Sequence, residues 1–554
     1  MQNETDATEP DRQAVDASDP YLRERQTFPV LSDEQVTRVR AYGSVENLAQ
    51  GSLLFERGER EVDFFLVLEG AVEIFDLDAK GRPQVITVHG KHQFTGELDL
   101  FNRRQILVGG RTGADSRLVR LTREQFRRLS SGEPDIGEIV MRAFILRRSG
   151  LILHREAGVT LLGEKNDRDT IRMNRFLTRN GYPVELLEAG SAEAARRAKN
   201  WQIAAEDGPL VRTPDGETLR NPTTHELAER LGLTEALDPD HLYDLVVVGA
   251  GPSGLSACVY GASEALDTLV IEAEAPGGQA GTSSRIENYL GFPTGISGQA
   301  LAGRAWIQGQ KFGAQFAIAC RAKSIRRDGE IFTVTTEGAA QVKSRAVVLA
   351  CGATYRRIGL DSCKRYEGQG IHYAATALEA QFCTGTEIVV VGGGNSAGQA
   401  AVFLAGHAKH VHILVRGPGL ADSMSDYLVQ RIARSQHITL HSHSELTRLE
   451  GERGLTGAAW INRQTGETLS RDIANIFVMI GAVPNTAWLD DCVHLDDKGF
   501  VITGAEGASA YQTSIPGIFA VGDVRSGSVK RVASGVGEGS VCISAVHAYL
   551  AGRG

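Results

Sequence analysis

The stretch Asp244-Leu-Val-Val-Val-Gly249-Ala-Gly251-Pro-Ser-Gly254 limits the fold of this chain more than any other. An apolar β run ends in Gly249-x-Gly251-x-x-Gly254 and opens into the helical pattern Leu255-Ser-Ala-Cys-Val-Tyr. Gly249 permits the tight turn, Gly251 lets the backbone approach a pyrophosphate, and Gly254 lets helix and strand pack closely. The free N–H groups that open such a helix receive the phosphate. A glycine loop alone says little. Here a strand precedes it, a helix follows, and the next strand, Thr268-Leu-Val-Ile-Glu272, ends in a carboxylate placed to hold a ribose hydroxyl. The expectation is a dinucleotide site, with Ser253 in the first helical turn.

The arrangement recurs. Glu387-Ile-Val-Val-Val-Gly392-Gly393-Gly394-Asn395-Ser396-Ala397 is again strand, glycine turn and helix, now as GxGxxA. Its following strand, Val411-His-Ile-Leu-Val-Arg416, ends in arginine where an NAD-selective site carries a carboxylate. A cation there suits the 2′-phosphate of NADP, so NADPH is expected over NADH.

Length and charge bound the rest. A chain of 554 residues implies several domains. The 59 basic and 68 acidic residues give −9, which favours solubility and does not suggest nucleic acid. No apolar run is long enough to span a membrane, and the acidic start is unlike a signal peptide, so a cytoplasmic place is expected. The seven cysteines form no CxxC and no zinc spacing, so no metal is expected. Buried free cysteine behaves as a small hydrophobe.

Residues 1–20 are acidic with little to bury and read as a flexible tail. From 21 to 152 short strands alternate with glycine turns: Ser52-Leu-Leu-Phe55, Phe64-Phe-Leu-Val-Leu68, Ala71-Val-Glu-Ile-Phe75 and Val85-Ile-Thr-Val88. Helical spacing flanks them at 32–42, 122–129 and 135–151. With "FERGE", "FFLVLEGAVEIF" and "FTGELDLF", this β-roll resembles a cyclic-nucleotide-binding domain. The resemblance implies a pocket at Gly96, Glu97 and Leu98, with an arginine on the cyclic phosphate. Gln105 falls at the expected arginine position, bulky Ile106 and Leu107 replace small residues, and Arg104 serves only by a shift of register. A cyclic phosphate needs a charge partner in such a pocket, so weak or absent cyclic-nucleotide binding is expected.

Residues 158–236 run strand, helix, strand, helix, a Pro-led strand, a hairpin and a last helix. This order resembles a thioredoxin or glutaredoxin fold. Such domains place a CxxC at the first helix N-terminus. Here that position reads Lys165-Asn-Asp-Arg-Asp169, and the module has no cysteine. A docking or spacer role is expected.

From His241 onward the chain resembles the thioredoxin-reductase family of FAD-dependent pyridine-nucleotide oxidoreductases. Several motifs occur in the family's order: the first glycine turn, Gly277-Gly278-Gln279, Ile286-Glu-Asn288-Tyr, Val347-Val-Leu-Ala-Cys-Gly-Ala353, and Ile518-Phe-Ala-Val-Gly522-Asp523-Val. The resemblance implies that Gln279 and Asn288 bond FAD, that Asp523 holds a ribityl hydroxyl, and that Lys530-Arg531-Val532-Ala533 lies along the flavin pyrimidine edge. Ile480-Gly-Ala-Val-Pro-Asn485 marks the crossing back to the flavin domain. One departure matters most. The family's dithiol, Cys-Ala-Thr-Cys, is matched by Ala374-Ala375-Thr376-Ala377. An alanine methyl can neither attack a disulfide nor form a thiolate. Cys363 and Cys383 are the nearest thiols, and Glu379 is a candidate proton donor.

The fold expected is multidomain: a tail (1–20), a β-roll with helices (21–152), a thioredoxin-like α/β module (158–236), and two Rossmann-like, three-layer units. These would be an FAD domain (241–357 and 483–554) and an NAD(P) domain (358–482). The function expected is hydride transfer from NADPH to FAD and on to an unidentified acceptor, in a homodimer. Two alternatives stay open: a ferredoxin/flavodoxin–NADP reductase-like enzyme, or an NADPH/redox sensor signalling through the N-terminal domains.

Overall fold

The structure is a computed structural model that describes residues 20–77, 82–101, 104–154, 158–201, 208–234, 237–283, 285–360, 362–367, 369–373, 375, 377–452, 454–490, 492–504 and 509–552. The expected tail, Pro20 excepted, and the turn at 78–81 lie outside the described residues. The chain divides into two compact units, residues 1–160 with 183–185 and 212–217, and residues 161–182 with 186–211 and 218–554.

In the first unit two antiparallel sheets form the roll. One has the order Ser44–Leu48, Ser116–Leu121, Phe64–Glu69. The other has the order Leu53–Phe55, Gly109–Thr112, Val72–Leu77, Pro83–His89. The strands Ser44–Leu48, Gly109–Thr112 and Ser116–Leu121 are additions to the sequence reading. A Cβ on Gly109 would lie 2.4 Å from the ring of Phe75, and one on Gly110 2.4 Å from the ring of Phe55. These glycines make room for aromatic rings. Capping boxes at Ser32/Gln35 and Thr122/Gln125 start the helices Asp33–Arg40 and Arg123–Gly132. The helix Pro134–His154 closes the roll and buries Phe144 against Phe94, Phe101 and Phe126.

The α/β module has the strand order Thr218–Arg220, Leu210–Arg212, Val159–Gly163, Val184–Glu188, with the helices Arg168–Arg179, Ala192–Asn200 and Thr224–Arg230. Asp167 caps the first helix by accepting from the N–H groups of Asp169 and Thr170 at 3.0 and 2.8 Å. A carboxylate therefore meets the helix dipole where the resemblance would put a thiol.

The second unit's largest sheet has the order Gln315–Ile318, Thr268–Glu272, Leu242–Val248, Gln341–Leu349, Ile331–Thr336, Ala322–Asp328, with Ile518–Ala520 paired to Gln341–Leu349. The strands from Gln315–Ile318 through Gln341–Leu349 run parallel, as does Ile518–Ala520. Their near-continuous apolar runs are what a sheet covered on both faces demands. A second parallel sheet has the order Ile371–His372, Asn475–Val478, Glu387–Val391, His410–Leu414, Ile438–His441. The short antiparallel pair Ala353–Tyr355 and Ala482–Pro484 carries the chain between the two sheets.

Candidate functional site

The parallel strands Leu242–Val248, Thr268–Glu272, Gln341–Leu349 and Ile518–Ala520 bring their C-terminal ends to one edge, where ligands of open α/β sheets sit. Gly249 turns there with φ +105°, and a Cβ on it would lie 2.4 Å from the Ala350 carbonyl. On Gly254 a Cβ would meet the Gly249 carbonyl at 1.9 Å. Gly251 is different: it caps the helix Pro252–Ser263 and faces open space, with nothing within 4 Å of a Cβ. That open cradle beside free N–H groups fits a pyrophosphate.

Around this helix start the structure gathers segments far apart in sequence. Glu272 accepts from the N–H groups of Ala250 and Glu274 at 2.7 and 2.8 Å, and burial raises its carboxyl pKa. The Gly277 N–H donates to the Ala250 carbonyl at 2.7 Å, and Gly278 packs on the backbone of Gly251. Gly522 lies so close to Ser253 that a Cβ would sit 2.1 Å from the hydroxyl. Asp523 is half-buried with its pKa raised by desolvation, and Lys530 Nζ donates to its backbone carbonyl at 2.8 Å. Arg531 caps the helix Val532–Ala551, so Val532 and Ala533 form its first turn.

The Gln279 side-chain amide donates to the Ala353 carbonyl, and Asn288 is exposed on the loop beyond. Sequence reasoning missed Glu538. This buried acid accepts from the Gly522 N–H at 2.6 Å and pairs with Arg525 at 2.7 Å, fixing the turn that carries Asp523. Its signal was an acid inside the otherwise small and apolar helix Val532–Ala551.

The α/β module also reaches this loop. Arg179 donates to Glu274 at 2.7 Å and to the Gly278 carbonyl at 3.0 Å. Asn180 donates to the Glu274 carbonyl at 3.2 Å, and Gln299 donates to the Thr178 carbonyl at 2.6 Å. Nothing in the sequence signalled this clamp, because one partner is mostly backbone.

The second turn repeats the first contact: a Cβ on Gly392 would lie 2.2 Å from the Met479 carbonyl. Gly394 caps the helix Asn395–Leu404. Ser423 donates to the Gly393 carbonyl at 2.9 Å, and Asn395 accepts from the Ser425 N–H at 2.6 Å. Ala397 is fully buried, while Ser396 is exposed. The strand ends at Leu414, two residues before Arg416, which stands exposed beyond it.

At the dithiol position Ala374 lies outside the described residues, and Ala377 opens the helix Ala377–Phe382. Glu379 is buried in that helix. Cys383 is fully buried, donates to the Glu379 carbonyl at 3.3 Å, and burial pushes its thiol up to about 12. Burial raises the Cys363 thiol as well. Thiols so placed stay protonated and unreactive. Among the described residues no cluster could hold a metal, and no helix is long and apolar enough to cross a membrane.

In the roll, Gly96 and Glu97 line a cavity of about 70 Å³. Leu98 starts the short helical turn Leu98–Phe101, and Arg104 is buried without lining the cavity. Gln105 is also buried, and its amide donates to Asp215 at 3.0 Å.

The family profile described as pyridine nucleotide-disulphide oxidoreductase matches residues 243–539, the span that holds both glycine turns. The chain belongs to that family. A second profile, the cyclic nucleotide-binding domain, matches residues 45–132. Thioredoxin reductase of Bacillus subtilis is 31% identical over 57% of this chain and 96% of its own length. An NADH dehydrogenase of the same organism is 30% identical over 56% of this chain and 58% of its own. The crystal structure of Lactococcus lactis thioredoxin reductase (FR conformation) superposes with a TM-score of 0.52 at 28% identity, covering 56% of this chain and 99% of that one. This pyridine nucleotide-disulphide oxidoreductase is thus an FAD-dependent enzyme, and the cofactors of its family are FAD and NADPH.

Proposed function

We propose that this oxidoreductase moves hydride from NADPH to FAD and delivers the electrons to an acceptor other than a disulfide engaged at the family's dithiol position. The observation that carries the reading is a contrast within one unit. Both glycine turns keep their cradles, while Ala377 stands at one dithiol position and the nearest thiols in sequence, Cys363 and Cys383, are buried with their pKa raised. Bound FAD supplies hydride acceptance and electron transfer, chemistry that belongs to the cofactor. The chain supplies position. Gly249, Gly251, Ser253 and Gly254 would seat the pyrophosphate, Glu272 would take the ribose, and Gly278, Gln279, Asn288, Gly522, Asp523, Arg531, Val532 and Ala533 would frame the flavin. Gly392, Gly394, Asn395, Ser396 and Ala397 would seat NADPH, with Arg416 on its 2′-phosphate.

The α/β module has a thioredoxin-like element order without a thiol, and we assign it a docking role. Its support is the Arg179 and Asn180 clamp on the loop between Glu272 and Gly278. A homodimer in the cytoplasm completes the reading, on the strength of the family resemblance.

Anaerobic stopped-flow mixing with NADPH tests the proposal. Flavin should bleach without a thiolate–flavin charge-transfer band, and a quinone or one-electron acceptor should re-oxidise it even after thiol alkylation. Thioredoxin or aromatic-disulfide reduction that alkylation, Cys363→Ser or Cys383→Ser abolishes would defeat it.

A further inference from the structure

The second glycine turn is braced by the segment that follows its neighbouring strand. After His410–Leu414 the chain passes through Arg416 and folds back, and three consecutive residues meet the turn and its helix. Ser423 donates its hydroxyl to the Gly393 carbonyl at 2.9 Å. Met424 is buried, and a Cβ on Gly398 would lie 2.7 Å from its sulfur. The Ser425 N–H donates to the Asn395 side-chain carbonyl at 2.6 Å. The segment is anchored before this as well: the Gly417 carbonyl accepts from the His443 N–H at 3.0 Å, and Leu420 is buried. It covers one flank only. A Cβ on Gly393 would crowd Val415 and Ser423 at 3.3 and 3.4 Å, whereas one on Gly394 would meet nothing nearer than the Ser423 carbonyl at 3.9 Å.

A peptide unit is planar and trans, so its C=O and N–H point to opposite sides. The carbonyl of Gly393 and the N–H of Gly394 belong to one such unit. Holding the carbonyl on the braced flank therefore turns the Gly394 N–H toward the open one. Glycine on both sides leaves this plane freer to rotate than any other in the turn, because neither residue has a Cβ to restrict it. We propose that Ser423 is a positioning residue for the nicotinamide nucleotide, an inference that rests on the second turn receiving NADPH. Its hydroxyl fixes the Gly393–Gly394 peptide, so that the Gly394 N–H joins the free N–H groups of the helix Asn395–Leu404 in facing the pyrophosphate. From the same segment, the Ser425 N–H fixes Asn395, the next residue of the turn. The pyrophosphate is common to NADPH and NADH, so Ser423 serves both. Arg416, at the other end of the segment, answers to a 2′-phosphate that only NADPH carries.

Anaerobic stopped-flow reduction of the full-length, FAD-loaded protein, over a range of NADPH and of NADH concentrations, tests this. Ser423 is exposed, so its replacement removes no packing. Ser423→Ala should raise the half-saturating concentration about two- to tenfold, the worth of one hydrogen bond to a neutral acceptor. The factor should be the same for both nucleotides, with flavin content and the limiting rate at saturation unchanged. Ser423→Thr keeps the hydroxyl and should restore both half-saturating concentrations. An unchanged half-saturating concentration in Ser423→Ala would overturn the proposal. So would a rise confined to NADPH, which places the serine at the 2′-phosphate, a fall in flavin content or limiting rate, which makes its role structural, or a Ser423→Thr variant as impaired as Ser423→Ala. If neither nucleotide reduces the flavin of the unaltered protein, the assignment of the second turn falls and takes this proposal with it. Normal reduction of the unaltered protein beside an indifferent Ser423→Ala sinks the positioning role alone.

Discussion

The two glycine turns share a strand, a loop and a helix, yet they are secured in different ways. In both, the first glycine presses against the exit carbonyl of a neighbouring strand, Ala350 in one and Met479 in the other. They part at the third position. Gly254 has its own turn's carbonyl where a Cβ would stand, whereas Ala397 carries a buried methyl. They part again at the acid. Glu272 is tied into the first turn by two backbone N–H groups, while the second strand ends toward an exposed Arg416. The first turn is a closed construction that also receives Gly278, Gly522 and the α/β module. The second is more open. The proposed occupants, a resident cofactor at the first turn and one that must arrive and leave at the second, would call for this difference.

Breaking the tighter turn should have the largest effect. Gly254→Ala puts a methyl 1.9 Å from a backbone carbonyl, and overpacking of this kind costs about 1–3 kcal/mol. The protein should purify with little flavin, read as the flavin-to-protein absorbance ratio. Ala397→Gly, the mirror change, should keep its flavin and lose only about 1 kcal/mol from a weaker helix. Equal flavin content in the two variants would mean that the turns are not held differently.

The next effect belongs to the open turn. Arg416→Glu should weaken NADPH by about ten- to a hundredfold, the worth of a charge-assisted phosphate contact, and leave NADH nearly unchanged. Flavin-reduction rates against nucleotide concentration measure both. An equal loss for the two nucleotides would remove Arg416 from the 2′-phosphate.

Much of this was legible in the sequence because it depends on local chemistry. The apolar strand runs, the glycine spacing and Glu272 at a strand end each follow from neighbours in the chain. What escaped reading depends on contacts across the chain. Gly109 and Gly110 are not singled out by the sequence, because the rings of Phe75 and Phe55 that need their missing side chains come from other strands. Glu538 reads as one acid in a helix until Gly522 and Arg525 meet it. Arg179 reads as a helix-end charge that suits the dipole, and only folding brings it to the Gly278 carbonyl.

A smaller effect tests that clamp. Arg179→Ala removes one neutral-acceptor hydrogen bond and one ion pair to a largely exposed Glu274, together about 1 kcal/mol. Flavin should dissociate roughly fivefold more readily, with NADPH affinity unchanged. A matching loss at the NADPH turn would show that the module supports the whole unit and not the closed turn alone.

The smallest effect is a pH dependence confined to the closed turn. Burial raises the folded-state pKa of Glu272 above its ordinary value, despite the two N–H groups that favour its charge. Between those two pKa values the folded, flavin-free chain binds more protons than the unfolded one. Its stability from this group is therefore greatest below the ordinary carboxylate pKa and is lost as pH rises through the folded value. Flavin binding runs the other way, because a ribose hydroxyl is better held by a carboxylate than by a carboxylic acid. As pH falls from neutral, the apoprotein melting temperature should rise relative to Glu272→Gln while flavin retention falls, since the glutamine cannot titrate. NADPH binding should show no such crossing, because among the described residues no carboxylate is seen to hold the second turn in this way. If stability and flavin retention move together with pH, or if Glu272→Gln behaves like the unaltered protein, the tie between this acid and the closed turn is wrong.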